Sequence, residues 1–229
     1  MDKSIVITMD TDWVPDEVLE YSLNLLDSHG VRATLFMTNP VKLDTKNHEI
    51  GIHPNFTSFD FKKHIKECLE IYPQAKGVRS HSLFYSERLR EVYSHYDIEY
   101  QSNFMMYRQS GIRPLWIAPT TLELPLYWMD NFYMEMEQAP GFEIGELTLN
   151  IKGLKVFCFH PIHIFLNTER LDRYDEAKNY HNDVKKLLEM RNVNRRGVKD
   201  IFLELVRYIK ENNIESKVLG DISKSFKNS

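Results

Sequence analysis

The chain has 229 residues, of which 42% are hydrophobic and 12% aromatic, enough apolar material for the core of one large domain; this composition excludes an intrinsically disordered chain. The formal net charge of -4 provides no basic surface for nucleic acid or for an anionic membrane. Cys68 and Cys158 are too few for a disulfide framework, so we expect reduced thiols.

The N-terminus shows no targeting signal. Met1 is followed within a few residues by a strand-like run, without a charged segment and an apolar leader. No apolar stretch approaches the roughly 20 residues that are needed to span a bilayer. The sequence therefore predicts a protein without a membrane span and, by default, a cytoplasmic one.

The first elements alternate between strand and helix. The β-branched run over 5–9 predicts a buried strand that ends at Asp10. A helix follows from Pro15, with leucines along one face and Gly30 as its C-terminal stop, and 31–37 reads as the next strand. Such a β-α-β unit predicts a parallel sheet.

The alternation continues along the rest of the chain. We predict strands at 48–52, 77–81, 98–101, 115–118, 155–159 and 216–219, and helices over 61–72, 87–96 and 198–209. This order is typical of an α/β fold, with a closed or nearly closed barrel as the expected arrangement. We treat 1–229 as a single domain. The charged stretch at about 168–197 is too long for an ordinary connection, so we predict a helical excursion or a mobile lid there.

Carboxylates and imidazoles follow several of the predicted strands. Asp10 and Asp12 are two residues apart, a spacing that sends both side chains to one face of a strand. The alternative is a polar loop whose aspartates cap the next helix. His53 follows the third strand, and Arg79 and His81 again have two-residue spacing. Taken singly, each histidine is as well explained by a structural role.

A second pair of histidines follows the apolar strand over 155–159. His160 and His163 flank Pro161, which prevents a simple continuation of that strand, and imidazoles in so apolar a run need polar partners. The C-terminal ends of barrel strands meet at one rim, where chemistry is usually found. An aspartate with two histidines suits zinc or a similar divalent ion, and a further aspartate and histidine could serve as base and acid.

These motifs together resemble the polysaccharide deacetylase family, the NodB homology domain of carbohydrate esterase family 4. The stretch "IVITMDTDWVPDEVLEYSLNLLDSHGVRATLFMTNP" is similar to the family's opening, "HEIGIHPN" to the stretch before a metal histidine, and "VFCFHPIH" to its closing histidine motif. The forms "IHPNF", "GVRSHSLF" and "FHPIHIFLNT" resemble a divergent, WbmS-like branch found among surface-polysaccharide biosynthesis proteins. The similarity extends from about Ile5 to about Leu219.

The resemblance implies a distorted (β/α) barrel, complete or incomplete, and metal-dependent hydrolysis of an N-acetyl or O-acetyl group on a sugar. Carried over by motif, Asp10 corresponds to the catalytic base and Arg79 to the arginine that holds it. Asp12 corresponds to a metal aspartate, His53 to the first metal histidine, and His160 to the acid histidine.

The chain also departs from the family pattern. Thr57 stands where a second metal histidine is usual, and threonine is a poor replacement for imidazole. Either His81 or Asn55 completes the ligand set, or metal binding is weak or absent. Gln101 stands where the family often has an acidic residue.

The leading hypothesis is a zinc-type deacetylase that acts on a sugar or a sugar intermediate of surface-polysaccharide synthesis. We place the metal on Asp12, His53 and His81, with His163 as an alternative to His160 for the acid. Predicted substrate contacts are Trp13, Asn55, Asn103, Trp128 and Asp130.

The rival hypotheses are a catalytically degenerate glycan-binding protein and a hydrolase of a non-sugar amide C–N bond. The expected partner is a small carbohydrate or glycan intermediate and not nucleic acid, and a homo-oligomer remains open.

Overall fold

The computed structural model describes residues 4–137 and 139–228. Residues 1–3, on which the expectation of no leader depends, lie outside the described part. The strands are β1 (Ile5–Asp10), β2 (Ala33–Met37), β3 (Glu49–Ile52), β4 (Gly77–Val78), β5 (Tyr100–Gln101), β6 (Leu115–Trp116), β7 (Leu122–Glu123), β8 (Leu126–Met129) and β9 (Lys155–Phe159). The helices are α1 (Asp16–Asp27), α2 (Phe61–Ile71), α3 (Leu89–His95), α4 (Asp130–Met136), α5 (Pro161–Leu166), α6 (Leu171–Ala177), α7 (Val184–Glu189), α8 (Val198–Glu211) and α9 (Leu219–Lys227).

The strands form one sheet in the order β6-β7-β5-β4-β3-β2-β1-β9-β8, parallel throughout except for the β6–β7 pair. Within the described residues the sheet ends at β6 and β8. The irregular segment after β5 connects the β5 region to β8: the Met106 amide donates to the Leu126 carbonyl at 2.8 Å, and the Leu126 amide donates to the Phe104 carbonyl at 2.9 Å. The fold is therefore an incomplete α/β barrel, as predicted.

The strand register determines which side chains meet. Asp10 pairs with Phe36 across β1 and β2, and Ile52 pairs with Val78 across β3 and β4. Met9 pairs with Phe159 across β1 and β9, and these two strands run in the same direction. Because the strands are parallel, the residues at or just beyond their C-terminal ends lie along one rim of the sheet.

The core occupies both faces of the central strands. Every residue of β1, β2 and β9 is buried, as expected for parallel strands covered by helices. Helix α1 buries Leu19, Leu23 and Leu26, a helical stripe that the leucine spacing predicts. Truncating one of these leucines to alanine should cost roughly 2–5 kcal/mol of unfolding free energy.

The predicted last strand at 216–219 is wrong, because Leu219 instead begins α9. The Asp221 carboxylate accepts the Val218 amide at 3.1 Å, and the Leu219 amide donates to Thr34 Oγ1 on β2 at 2.9 Å. The short apolar run around Leu219 is compatible with a strand or a helix. The hydrogen bonds with Asp221 and with Thr34, which lies on a distant strand, stabilise the helix.

Strands β7 and β8 and helix α4 are absent from the sequence-based prediction. The run Leu122–Met129 has neither clear alternation nor helical spacing, and Pro125 interrupts it. Pairing with β5 and β9 makes two strands of it. The predicted excursion is helical, formed by α6, a 3₁₀ turn over Lys178–Tyr180, and α7. Across the described ranges, no helix combines the length and the apolar character needed to cross a membrane.

Candidate active site

Two loops at the rim contain non-glycine residues in the left-handed backbone region. Asp12 (φ 40°) and Trp13 (φ 59°) follow β1, and Ser82 (φ 56°) and Leu83 (φ 52°) directly follow His81. This conformation is unfavourable for residues with a Cβ and persists only where surrounding contacts enforce it. The strained backbone therefore includes one predicted metal ligand, Asp12, and directly follows another, His81.

Asp12, His53 and His81 form a compact cluster at the rim. Asp12 Oδ1 lies 3.2 Å from His53 Nε2 and 3.2 Å from His81 Nδ1, and the candidate ligand atoms of all three lie within 4.8 Å of one another. Burial would raise the pKa of the Asp12 carboxyl, but the adjacent imidazoles of His53 and His81 and the charge of His160 hold it well below its usual range. Asp12 is therefore a carboxylate at neutral pH.

The hydrogen bond on the far side of the His53 ring fits a metal site. His53 Nδ1 lies 2.7 Å from the Arg79 carbonyl, which can only accept, so Nδ1 carries a proton. In the neutral ring, Nε2 then directs a lone pair at the Asp12 carboxylate. Two acceptors at this distance are compatible when a cation or a proton lies between them, and this tautomer is the one that metal-ligating histidines adopt. The donor set suits zinc or a similar divalent ion.

Another group of possible ligands is less suitable. Asp10, Cys158 and His160 also lie within 4.8 Å of one another. Burial raises the pKa of the Cys158 thiol well above its usual value, and the nearby Asp10 carboxylate adds to the effect. The thiol is therefore protonated, and only the thiolate is a good metal ligand.

Asp10 is held by a fully buried arginine. Arg79 Nη1 donates to Asp10 Oδ1 at 2.9 Å and to Thr8 Oγ1 at 2.7 Å. Its Nε and Nη2 donate to the carbonyl and the hydroxyl of Ser102, each at 2.8 Å, and the guanidinium lies over the Phe36 ring, 4.3 Å from its centroid. A buried charge of this kind requires an opposite charge and complete hydrogen bonding, and Asp10 supplies the charge. The carboxylate of Asp10 is thereby fixed at the edge of the cleft.

His160 is oriented by Asp130. The His160 backbone amide donates to Asp130 Oδ2 at 2.7 Å, and its Nδ1 donates to Oδ1 at 2.6 Å. Its Nε2 lies 3.4 Å from Asp12 Oδ2, on the cleft side of the ring. Burial lowers the pKa of His160, but the charges of Asp130 and Asp12 outweigh it and raise the pKa to about 10. The ring is therefore positioned as a proton donor.

His163 is located behind this wall and does not line the cleft. Its Nδ1 bonds Thr168 Oγ1 at 3.0 Å, its Nε2 bonds Asn131 Oδ1, and the Tyr174 ring packs edge-on at 4.6 Å between centroids. Burial lowers the pKa of His163 to about 4, so the ring is neutral. Both ring nitrogens of His163 are hydrogen-bonded, so this side chain supports the residues around the cleft. His160 is better placed for the acid role.

The cleft is small and continues into a wider groove. Its volume is about 100 Å³, and it is lined by Asp10, Asp12, His53, His81, Ser82, Leu83, Met129, Asn131 and His160. Asp12, His81 and Asn131 also border a groove of about 460 Å³, whose other walls are Trp13, Tyr174, Lys178 and His181. Sequence reasoning missed Asn131, although it follows a predicted site residue, and it missed the groove residues of the excursion, which no local pattern marks.

Trp13 and Asn55 are accessible to a substrate. The Trp13 side chain is 43% exposed and packs edge-on against His81, with 5.1 Å between ring centroids. Asn55 is exposed and lines a recess beside His53, outside the cluster that contains His81. Thr57 is exposed as well and does not line the cleft. His81 therefore lies with Asp12 and His53 in one cluster, whereas Asn55 lines the neighbouring recess.

The other predicted substrate contacts have different surroundings. Trp128 is fully buried and packs on Phe159 at 5.1 Å, so a sugar ring cannot reach it and the predicted subsite is corrected. Asp130 is also fully buried and orients His160 instead of binding sugar. Asn103 is buried, where its side chain accepts the Ser80 amide at 2.9 Å. The corrections share one cause: a side chain at the C-terminal end of a strand can point into the core as well as into the cleft.

Solved structures similar to this chain include a polysaccharide-related protein with high coverage. A protein from Bordetella bronchiseptica, to which polysaccharide deacetylation in O-antigen biosynthesis is ascribed, superposes with a TM-score of 0.80 at 27% identity, covering 89% of this chain and 90% of that one. A 4-α-glucanotransferase from Thermococcus litoralis shares the fold alone, with a TM-score of 0.56 at 12% identity over 96% of this chain and 38% of that one. No curated protein matches the sequence significantly.

The sequence also matches a family of known fold over most of its length. The matching family model describes a WbmS-like polysaccharide deacetylase and covers residues 7–178, a range that contains every predicted catalytic and metal residue. The motif resemblance, the incomplete barrel and the Bordetella structure all agree with that match. The chain therefore belongs to the WbmS-like polysaccharide deacetylase family.

Proposed function

We propose that the protein is a metal-dependent hydrolase that removes an acetyl group from a sugar or sugar intermediate of surface-polysaccharide biosynthesis. The observation that carries this proposal is one small cleft lined by a carboxylate–imidazole cluster, an arginine-held aspartate and an aspartate-held histidine. The O-antigen role ascribed to the Bordetella protein supports the substrate class.

The metal would be held by Asp12, His53 and His81, whose donor atoms already lie within 4.8 Å of one another. A divalent ion in this position supplies Lewis acidity towards an acyl carbonyl and towards the attacking water. The remaining protein groups supply proton transfer and orientation.

Asp10 is the proposed general base. Its carboxylate lines the cleft, and the 2.9 Å hydrogen bond from Arg79 holds one of its oxygens and limits its rotation. An ionised carboxylate with one oxygen held by a cation can take a proton on the other oxygen from water in the cleft. Asp10 and Asp12 line the same cleft, so the proposed base would lie beside the proposed metal ligands.

His160 is the proposed general acid. Asp130 accepts a hydrogen bond from His160 Nδ1 at 2.6 Å, which leaves the Nε2 side of the ring facing the cleft. Nε2 of His160 can then donate its proton to the departing amine or alcohol, and Asp130 stabilises the positive charge of the protonated ring. Trp13 at the neighbouring groove is available to stack against a sugar ring.

Acetate release tests this function directly. Zinc-loaded protein would be incubated with N-acetylglucosamine, UDP-N-acetylglucosamine, chitooligosaccharides and O-acetylated oligosaccharides, and acetate would be followed by proton NMR. We expect release from at least one class, and loss of release in the double variant Asp10→Asn/His160→Ala.

Two other outcomes would replace the proposal. Saturable binding of these glycans without acetate release would indicate the glycan-binding alternative. Hydrolysis of simple amides at rates above those of every acetylated sugar would indicate the non-sugar amidase.

A further inference from the structure

Glu123, at the end of β7, is a fully buried carboxylate outside the cleft lining. Its Oε2 accepts Gln101 Nε2 at 2.6 Å, and its Oε1 accepts the backbone amides of Asn103 and Phe104 at 3.0 Å each. All these donors belong to one short segment, residues 101–104, that follows β5. Burying a carboxylate is costly unless it is hydrogen-bonded, so mere packing would be better served by an apolar side chain.

The segment held by Glu123 contains the residue that orients Arg79. Ser102, between Gln101 and Asn103, accepts Arg79 Nε on its carbonyl and Arg79 Nη2 on its hydroxyl, each at 2.8 Å. The same guanidinium donates to Asp10 at 2.9 Å. Three successive sets of hydrogen bonds therefore connect a carboxylate at the end of β7 to the proposed base at the end of β1.

Asn103 adds a second connection from the same segment. Its Oδ1 accepts the backbone amide of Ser80, the residue after Arg79, at 2.9 Å. Its Nδ2 donates to Gln101 Oε1 at 3.3 Å. The 101–104 segment thus fixes the guanidinium of Arg79 and also the backbone beside it.

We propose that Glu123 is a positioning residue for the deacetylation: it holds residues 101–104 so that Ser102 fixes Arg79 and Arg79 fixes Asp10. The catalytic part rests on the proposed function, since it requires Asp10 to act as base. The structural part, the ordering of Arg79 by Glu123, can be tested without any substrate.

Glu49 provides a matched control. It is a half-buried carboxylate on β3 that accepts hydrogen bonds from Thr34 Oγ1 at 2.7 Å and from the Gly220 backbone amide at 3.0 Å, at the N-terminal end of its strand and away from the rim. Glu49→Ala therefore removes a carboxylate that accepts hydrogen bonds from Thr34 and Gly220 and, among the described residues, none from Arg79 or residues 101–104. Glu123→Gln, which keeps the shape and one carbonyl acceptor, serves if Glu123→Ala does not fold.

The first measurement is hydrogen exchange at Arg79 Nε by ¹⁵N NMR, with the signal assigned through Arg79→Lys. We expect exchange to accelerate about tenfold or more in Glu123→Ala and by a smaller factor in Glu123→Gln, because the acceptor on Ser102 is no longer held. In Glu49→Ala it should stay within about twofold of the unmodified protein. Equal exchange in the Glu123 and Glu49 variants would overturn the positioning role whatever the enzyme does.

The second measurement is the pH profile of turnover on whichever acetylated sugar the protein hydrolyses best. We expect Glu123→Ala to lower kcat about tenfold and to leave KM within about twofold. We also expect a shift in the limb of the pH profile that reports protonation of the proposed base, Asp10. Glu49→Ala should leave the profile unchanged. Faster Arg79 exchange with an unaltered kcat in Glu123→Ala would refute the catalytic part of the proposal. If the unmodified protein hydrolyses none of the acetylated sugars, the proposed function is refuted. The exchange result alone then decides the structural part.

Discussion

Two clusters of one carboxylate and two imidazoles lie close together in this protein, and they differ in which ring nitrogens are free. We call them the rim cluster (Asp12, His53 and His81) and the buried cluster (Asp130, His160 and His163). In both, the candidate ligand atoms lie within 4.8 Å of one another. By residue type alone they would be equally good metal sites.

Hydrogen bonding and exposure separate the two clusters. In the rim cluster both histidines direct a nitrogen at one carboxylate oxygen, and the His81 side chain is 32% exposed. In the buried cluster both nitrogens of His163 are already bonded, and the Nδ1 of His160 is bonded to Asp130. A metal ligand needs a free lone pair and a route for the ion, so of these two clusters the rim cluster is the one that we propose as the metal site.

The largest expected effect is on metal affinity. His53→Ala and His81→Ala should each weaken zinc binding by about 10²-fold or more, because each removes one of the three proposed protein ligands. His163→Ala should leave it within about threefold. Competition with a chromophoric chelator measures all three. Retention of zinc by His81→Ala would mean that another group, such as Asn55, completes the ligand set.

The next effect is on turnover. His160→Ala and Asp10→Asn should each lower kcat by about 10²-fold while zinc content stays near that of the unmodified protein, since neither is a proposed ligand. Acetate release and elemental analysis on the same samples check this. Zinc loss in Asp10→Asn would show that Asp10 and Asp12 have exchanged roles, and full activity in His160→Ala would pass the acid role to His163.

A smaller effect concerns stability in acid. The pKa of His163 is about 4 in the folded protein and 6.5 for an ordinary histidine, so the unfolded chain binds more protons between these values. His163 therefore stabilises the fold above pH 6.5, and its contribution, at most about 3 kcal/mol, is lost as the pH falls towards 4. Urea unfolding at pH 7.5 and 4.5 should show a weaker pH dependence in His163→Gln. Parallel pH dependences would mean that His163 titrates normally.

The smallest expected effect is at the two polar residues after His53. Asn55 and Thr57 are both exposed, and neither lines the cleft that contains Asp12, His53 and His81. Asn55→Ala and Thr57→Ala should therefore change zinc affinity by less than about twofold. The same chelator titration applies, and a loss comparable to that of His53→Ala would move the ligand set away from His81.

The β-α-β opening and the catalytic rim could be predicted from sequence because their signals are local. A β-branched run, a leucine stripe and a stop at Gly30 each identify an element within a few residues. The short strands β7 and β8 lack such a signal, and the sheet register forms them. Trp128 was misplaced for the same reason, since its direction depends on the pairing of β8 with β9.

The sequence by itself determined that the fold is α/β, that its strands are mostly parallel, and that aspartates and histidines end several of them, because periodicity and strand ends are properties of neighbouring residues. Only the tertiary structure decided what each side chain does. Asp12 and His81 are 69 residues apart, and Asp130 and His160 are 30 apart, yet each pair is in direct contact. Whether an imidazole is a ligand, an acid or a support depends on which of its nitrogens is occupied, and distant parts of the chain supply the partners that occupy them.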